Sequence, residues 1–168
     1  KENNEIIKSL GPTYKNSYSS KIVKKYQKYS NVRVIGMGGS THGTESIYKF
    51  LKHKIKKNFI FFDNLNPNII TLKKKEKSLN LIVSKSGNTI ETISNVNIIL
   101  RKNKDKNIFI TENKKSYLLL LAKKLKAEIV HHNNFIGGRY SVLSEVGMLP
   151  ADLMGLKKNS FKQINNLI

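Results

Sequence analysis

Short apolar segments alternate with amphipathic segments along most of this chain, and this alternation limits the folds that the chain can adopt. Five segments have the continuous apolar character of strands that are buried on both faces, as in a parallel sheet. They are residues 32–36, 59–62, 79–83, 107–110 and 127–130. We therefore predict five short buried strands.

Apolar residues recur at helical spacing in the segments between the predicted strands. These segments are residues 45–55, 89–100, 117–125 and 141–153. Pro150 predicts an interruption of the last helix, and Asn66-Pro67 opens a further predicted helix because proline fits a first turn. Strands that alternate with helices predict an α/β fold: a doubly wound five-stranded parallel sheet with helices on both faces.

The chain has 168 residues and a mass of 19.2 kDa, which suits one domain with a sizeable core. Residues 1–30 are polar and helix-compatible, and we interpret them as an N-terminal helical lead-in. Residues 31–156 form the predicted domain. Residues 157–168 are interpreted as the start of a connection to a second domain, and a first residue other than Met is typical of a fragment or a processed form.

Positive charge dominates the composition, since 31 Lys and Arg against 11 Asp and Glu give a net charge of +20. Such a charge favours an acidic partner such as nucleic acid. However, only Arg33, Arg101 and Arg139 supply the bidentate fork of base and phosphate recognition, and the Lys residues are spread along the chain. We therefore expect a solvated Lys-rich surface and no specific nucleic-acid partner, with a nucleic-acid-binding module as the last-ranked alternative.

Several classes of site are excluded or disfavoured by what the sequence lacks. Cys is absent, which excludes disulfides and cysteine-based zinc sites, and a cytoplasmic location is the simplest expectation. No stretch approaches the roughly 20 apolar residues that span a bilayer, so we expect no membrane partner. His131 and His132 lack carboxylates or Cys at metal-ligand spacing, so no metal site is expected.

Three loops of unusual composition follow predicted strands, which is where parallel sheets bind ligands. The first loop, residues 36–43, contains Gly38, Gly39, Ser40 and Thr41. Glycines allow the backbone to approach a ligand closely, and the hydroxyls add donors before a helix. A tight strand-to-helix turn explains the same residues, because a GxGG pattern is a weak signal on its own.

The second loop, residues 84–92, places three hydroxyls and a lysine at the start of a predicted helix, where free N–H groups and the helix dipole favour phosphate. These residues are Ser84, Lys85, Ser86 and Thr89. Ordinary helix capping, by Asn88 or Thr89, needs only one such group. The density of donors therefore favours a phosphate site, and the spacing differs from that of a nucleotide P-loop.

The third loop, residues 136–141, carries Arg139 between Gly137-Gly138 and Tyr140-Ser141. A planar guanidinium beside a flexible backbone suits oriented contact with the oxygens of a substrate. The alternative interpretation is a helix-entry turn with an exposed arginine.

In these loops the sequence resembles the glucose-6-phosphate isomerase family and its sugar-isomerase (SIS) domain, a flavodoxin-like three-layer sandwich. The family's glycine–serine turn matches Gly38-Gly39-Ser40, its phosphate loop matches residues 84–92, and its Gly-Gly-Arg-aromatic-Ser signature matches residues 137–141. Asp63-Asn64 with Asn66-Pro67 also resembles the family, and all four segments occur in family order. The Gly-Gly-Arg segment narrows the resemblance from sugar-isomerase domains in general to this family.

The resemblance implies a phosphorylated hexose as substrate, the interconversion of glucose 6-phosphate and fructose 6-phosphate through an enediol, and no cofactor. Ser84, Lys85, Ser86 and Thr89 would hold the phosphate. Arg139 is implied as the catalytic residue that stabilises the charge of the enediolate, and Glu91 as a residue that orients catalytic groups. The implied substrate-binding residues are Gly39, Ser40, Ser84, Lys85, Ser86, Thr89, Glu91 and Gly138.

The sequence departs from the family pattern at two positions and lacks its proton-transfer groups. Glu145 stands where a small residue is usual, and His42 where an aliphatic residue is usual. The family's general base is a Glu of a second sugar-isomerase domain, and a His from the partner subunit and a C-terminal Lys also lie downstream. We therefore expect the N-terminal, phosphosugar-binding part of a homodimeric enzyme, inactive by itself.

A non-catalytic regulatory domain that binds sugar phosphates is the main alternative. It explains the second loop equally well, but it gives no role to residues 137–141. Sequence beyond Ile168 would discriminate between the two, because a second α/β domain with a catalytic Glu favours the enzyme.

Overall fold

The computed structural model describes residues 4–65, 78–102 and 105–162 of the chain. Its centre is a sheet of five parallel strands in the order β2-β1-β3-β4-β5. The strands are β1 (Asn31–Ile35), β2 (Asn58–Phe62), β3 (Ser78–Val83), β4 (Lys106–Thr111) and β5 (Glu128–His131). This is the flavodoxin-like order of a doubly wound sheet, so the predicted fold class and the five predicted strands are confirmed.

Helices cover both faces of this sheet. They are α1 (Glu5–Leu10), α2 (Ser20–Tyr26), α3 (His42–Phe50), α4 (Ile90–Lys102), α5 (Tyr117–Lys124) and α6 (Glu145–Leu153). α2, α3 and α6 pack with Val34 and Leu81 on one face, whereas α4 and α5 pack with Ile35 and Ile82 on the other. Neighbouring strand residues enter different cores because successive side chains point to opposite faces. Within the described ranges, no helix is long and apolar enough to span a membrane.

Two predicted helices differ from the observed ones at their ends. The helix predicted at residues 45–55 begins at His42 and ends at Phe50, and a 3₁₀ turn at Lys52–Lys54 follows it. The helix predicted at residues 141–153 begins only at Glu145, because Ser144 before it has an extended backbone. The helix predicted after Asn66-Pro67 lies outside the described residues.

Pro150 does not interrupt α6, contrary to the prediction. Proline lacks the N–H that would donate to the carbonyl four residues back, which here is that of Val146. The Thr44 hydroxyl of α3 donates to the Val146 carbonyl at 3.2 Å instead. A buried hydroxyl from a neighbouring helix therefore satisfies the orphaned acceptor, and α6 continues to Leu153.

The strand order places the first and second loops on either side of one crevice. β1 and β3 are neighbours in the sheet although β2 lies between them in sequence. The chain leaves β1 through α3 and β3 through α4, which pack on opposite faces of the sheet. Such a switch point opens a crevice at the carboxyl ends of the two strands, where ligands bind in doubly wound sheets.

The N-terminal lead-in shares the core of the domain. Tyr18 and Tyr26 are buried in the same apolar core as Met148 and Leu153 of α6. The Tyr18 hydroxyl also donates to Asp152 Oδ2 at 2.8 Å. The segment that contains α1 and α2 is therefore packed on the helix that follows the third loop.

A buried ion pair lies at the amino-terminal edge of the sheet, opposite the loops. Arg33 of β1 is 4% exposed, and its Nη1 donates to Asp105 Oδ2 at 2.6 Å and to Asn80 Oδ1 at 3.2 Å. Asp105 Oδ1 accepts the backbone N–H of Ser78, the first residue of β3, at 3.1 Å. Asp105, just before β4, thus joins that strand to Arg33 of β1 and to the start of β3.

We expect Asp105→Ala to destabilise the chain by about 3–5 kcal/mol, because it leaves the Arg33 guanidinium buried without its counter-ion. Urea denaturation followed by circular dichroism measures the change. Glu45→Ala is the control, since Glu45 pairs with the exposed Lys49 on the surface of α3 and should matter much less. Equal losses for both variants would contradict the prediction.

Candidate active site

The first and third loops meet backbone to backbone. The first loop forms a 3₁₀ turn at Gly38–Ser40 and the third loop forms one at Gly138–Tyr140. A Cβ atom on Gly39 would lie 2.5 Å from the Arg139 backbone nitrogen, closer than real Cβ contacts allow. Only glycine permits this approach, so the structure brings together two loops that the sequence offered as separate candidates.

Hydrogen bonds within the second loop hold it in place just before the N-terminus of α4. Ser84 Oγ lies 3.1 Å from Thr89 Oγ1, and Ser84 Oγ also accepts the N–H of Gly87 at 3.2 Å. Gly87 has a φ of +67°, the left-handed conformation that favours glycine. The backbone N–H groups of Lys85 and Ser86 donate to no described residue. Just before the N-terminus of α4, the loop therefore holds a bonded Ser84–Thr89 hydroxyl pair, the exposed Ser86 and two backbone amides without a described partner.

The Asn88 side chain bonds to α5, not to α4 as the capping alternative assumed. Its Oδ1 accepts the backbone N–H of Tyr117, the first residue of α5, at 2.9 Å. Thr89 occupies the position before α4, where its carbonyl accepts the N–H of Ile93 at 2.9 Å. The second loop is thus attached to α5 as well as to α4.

The side chain of Lys85 connects the second loop to the segment before the third loop. Its Nζ donates to the carbonyl of Asn134 at 2.7 Å and lies 3.5 Å from Glu112 Oε1. The Lys85 carbonyl accepts the N–H of Glu112 at 3.1 Å. The ammonium group therefore joins the ends of β3, β4 and β5.

Arg139 is exposed at the surface of a well-supported turn. The buried Ser141 hydroxyl donates to the Gly138 carbonyl at 2.6 Å, and the buried Ser144 hydroxyl donates to the Ser141 carbonyl at 2.8 Å. Among the described residues, none forms a hydrogen bond or an ion pair with the guanidinium group. Hydrogen bonds from two buried serines thus hold the turn, while the guanidinium group of Arg139 remains available to a ligand.

The other candidate residues have simpler positions. Ser40 ends the 3₁₀ turn of the first loop, and Glu91 lies half-buried in the first turn of α4. His42 is exposed, with Nε2 3.8 Å from Asp63 Oδ2. Neither His131 nor His132 belongs to a cluster of potential metal ligands within the part of the chain that the structure describes.

Sequence reasoning missed a buried polar network beside the third loop. Glu145 is 1% exposed, and its Oε1 accepts the N–H of Asn133 at 2.7 Å. Its Oε2 accepts the Tyr14 hydroxyl at 3.3 Å. His132 is fully buried, with Nδ1 3.1 Å from the Asn133 carbonyl and 4.0 Å from Glu145 Oε1. The unusual Glu at position 145 was the available signal, but its partner Tyr14 is 131 residues away in sequence.

Burial shifts two pKa values in this network. It lowers the pKa of His132, because desolvation penalises the imidazolium more than the nearby Glu145 favours it. It raises the pKa of Tyr14 to about 12, and the charge of Glu145 adds to that rise. His132 is therefore neutral and Tyr14 is a protonated donor near neutral pH.

We expect the chain to lose stability as the pH falls from about 6.5 towards the lowered pKa of folded His132, because the unfolded chain then binds a proton that the folded chain excludes. This contribution has a slope of at most about 1.4 kcal/mol per pH unit. Urea denaturation between pH 5 and 8 should show a flatter profile for His132→Gln. The exposed His53→Gln serves as control, and parallel profiles for wild type and His132→Gln would contradict the assignment.

The chain is similar to a known protein family over most of its length. Residues 16–166 match the model of the family described as phosphoglucose isomerase. The glucose-6-phosphate isomerase of Prochlorococcus marinus is 34% identical over 94% of this chain and 33% of its own length. That of Methanocaldococcus jannaschii is 38% identical over 79% of this chain and 35% of its own length. This chain thus spans about a third of the length of these curated relatives.

A solved structure shares the fold. A hypothetical protein from Thermus thermophilus superposes with a TM-score of 0.72 over 83% of this chain and 37% of its own, at 24% sequence identity. The three loops follow β1, β3 and β5, and the match to the family model includes all of them. The chain belongs to the phosphoglucose isomerase family.

Proposed function

We propose that this chain is the phosphosugar-binding part of a glucose-6-phosphate isomerase, which interconverts glucose 6-phosphate and fructose 6-phosphate through an enediol intermediate. The observation that carries the proposal is the backbone contact of Gly39 with Gly138-Arg139, beside the hydroxyl-rich second loop. This contact holds the turn that carries Arg139 against the first loop, on the same edge of the sheet as the proposed phosphate loop. Family membership supports the same reaction.

The second loop binds the phosphate of the sugar in this proposal. The hydroxyls of Ser84, Ser86 and Thr89 donate to phosphate oxygens, together with the backbone amides of Lys85 and Ser86. The N-terminus of α4 adds a partial positive charge. Gly39 and Ser40 line the same pocket from the side of the first loop.

Arg139 is the proposed catalytic residue of this part of the enzyme. With Gly138 it lies near C1 and C2 of the sugar and stabilises the negative charge that develops on the enediolate oxygens. Support comes from its exposed guanidinium, free of competing ion pairs among the described residues, on a turn fixed by two buried serines. Glu91 orients catalytic groups from a facing segment.

Proton transfer between C1 and C2 requires a base, which the proposal assigns to a residue outside these 168. The short span of the chain relative to its relatives supports this division. The reaction moves a proton and needs no metal or organic cofactor. The homodimer implied by the family resemblance and the cytoplasmic location stay predictions. The regulatory alternative is weaker, because it gives no role to Arg139.

The test is a titration of the isotope-labelled chain with 6-phosphogluconate and with inorganic phosphate, followed by amide NMR. We expect residues 84–92 to shift with both ligands and residues near Gly138 to shift with 6-phosphogluconate. Thr89→Val should weaken the binding of both ligands about tenfold or more, because it removes a hydrogen bond to a charged group. Thr13→Val, at an exposed position of the lead-in, is the matched control.

A DNA oligomer at moderate salt supplies the competing outcome. Shifts caused by DNA alone, spread over the Lys-rich surface, would overturn the proposed function in favour of a nucleic-acid module. Isomerase turnover by the chain itself would contradict the assignment of the base to a residue outside it.

We expect Arg139→Gln to weaken the binding of 6-phosphogluconate about tenfold or more and to leave the affinity for inorganic phosphate unchanged. The C1 carboxylate of 6-phosphogluconate would face the guanidinium, whereas inorganic phosphate would occupy only the second loop. Isothermal titration calorimetry with both ligands measures the split. An equal loss for both would show that Arg139 acts on the phosphate rather than on the reacting end of the sugar.

A further inference from the structure

Glu145 holds the backbone that leads into the third loop. It lies six residues after Arg139, at the start of α6. Its carboxylate is 1% exposed and accepts the N–H of Asn133 at 2.7 Å. Asn133 is the second residue of the short connection from β5 to Gly137, so the bond fixes that connection near its start.

Asn133 in turn joins the connection to the N-terminal lead-in. Its Nδ2 donates to Glu5 Oε2 at 3.1 Å and to the Tyr14 hydroxyl at 3.3 Å. Its Oδ1 accepts the N–H of Phe135 at 2.9 Å, which closes a turn within the connection. Both polar atoms of the Asn133 side chain therefore form hydrogen bonds.

The Tyr14 hydroxyl completes the link by donating to Glu145 Oε2 at 3.3 Å. Lys162, which is 3% exposed, has its Nζ 4.6 Å from the ring centroid of Tyr14. Tyr14 thus contacts both the Glu145 carboxylate at the start of α6 and a lysine beyond the end of that helix. This arrangement holds the lead-in against the start of α6.

A second cluster of the same composition lies two turns further along α6. Tyr18 donates to Asp152 Oδ2 at 2.8 Å, and Lys158 Nζ lies 5.3 Å from the Tyr18 ring centroid. The two clusters share their chemistry, but no hydrogen bond joins Asp152 to Asn133. Only the Glu145 cluster reaches the connection to the third loop.

We infer that Glu145 is a positioning residue for Arg139: its carboxylate fastens Asn133 and Tyr14 together and thereby holds the third loop against Gly39. The inference rests on the proposed function for the role of Arg139. The buried carboxylate replaces solvent as the acceptor for the Asn133 N–H and the Tyr14 hydroxyl.

The test is hydrogen exchange in the 168-residue chain, measured by mass spectrometry or NMR without ligand. We expect Glu145→Ala to accelerate exchange at residues 133–139 by about tenfold or more, because the Asn133 N–H loses a charged acceptor. Glu145→Gln should restore slow exchange, since its amide oxygen still accepts from Asn133. The affinity for 6-phosphogluconate should fall with Glu145→Ala, whereas that for inorganic phosphate should stay unchanged.

Asp152→Ala is the matched control, because it removes the equivalent carboxylate from the same helix. It should lower stability without changing exchange at residues 133–139. If Asp152→Ala accelerates exchange at residues 133–139 as much as Glu145→Ala does, the inference is overturned. Both variants would then act by lowering the overall stability of the chain. No acceleration by Glu145→Ala, or no recovery in Glu145→Gln, would overturn it as well.

Tyr14→Phe is the second variant if Glu145→Ala does not fold. It keeps the ring beside Lys162 and removes the hydroxyl, so exchange should accelerate at residues 133–136, and unchanged exchange would overturn the inference. The exchange measurement needs no ligand. If the chain binds no phosphosugar, the proposed function is overturned. The exchange measurement still decides whether Glu145 holds the third loop.

Discussion

The backbone contact between Gly39 and Gly138-Arg139 is the constraint on which the candidate site depends. These residues follow β1 and β5, which have β3 and β4 between them in the sheet. At about 4.8 Å per strand, the two strands are roughly 14 Å apart. The first and third loops must therefore reach towards each other across the ends of the intervening strands, beside the start of the second loop. A side chain at position 39 would push the two loops apart.

Buried charge supports this arrangement from both edges of the sheet. At the amino-terminal edge, Asp105 binds Arg33 and the start of β3, which fixes the register of strands whose opposite ends carry the loops. At the carboxyl edge, Glu145 binds Asn133 and Tyr14 beside the third loop. In each case one carboxylate receives donors from separate segments. A buried carboxylate is stable only with such partners, so each charge specifies its surroundings.

The fold was predictable from the sequence, and so was the edge of the sheet at which the candidate loops lie, because both depend on local patterns. Apolar runs marked the five strands, and the glycine and hydroxyl motifs marked the loops that follow three of them. Details that depend on packing were not predictable. Pro150 remains within a helix because Thr44 supplies the missing donor, and the Asn88 side chain accepts from the first N–H of α5 rather than from α4. Lys85, expected beside a phosphate, has its ammonium at the Asn134 carbonyl.

By itself, then, the sequence determined the strands, the doubly wound class and the family, since hydrophobic period and short motifs are properties of neighbouring residues. Only the tertiary structure decided which loops touch and which groups share the buried network around Glu145. Tyr14 and Glu145 are 131 residues apart, and Lys85 and Asn134 are 49 apart. Such pairs meet because the sheet order brings distant strand ends to one edge and the core holds the lead-in on α6. No local pattern encodes that proximity.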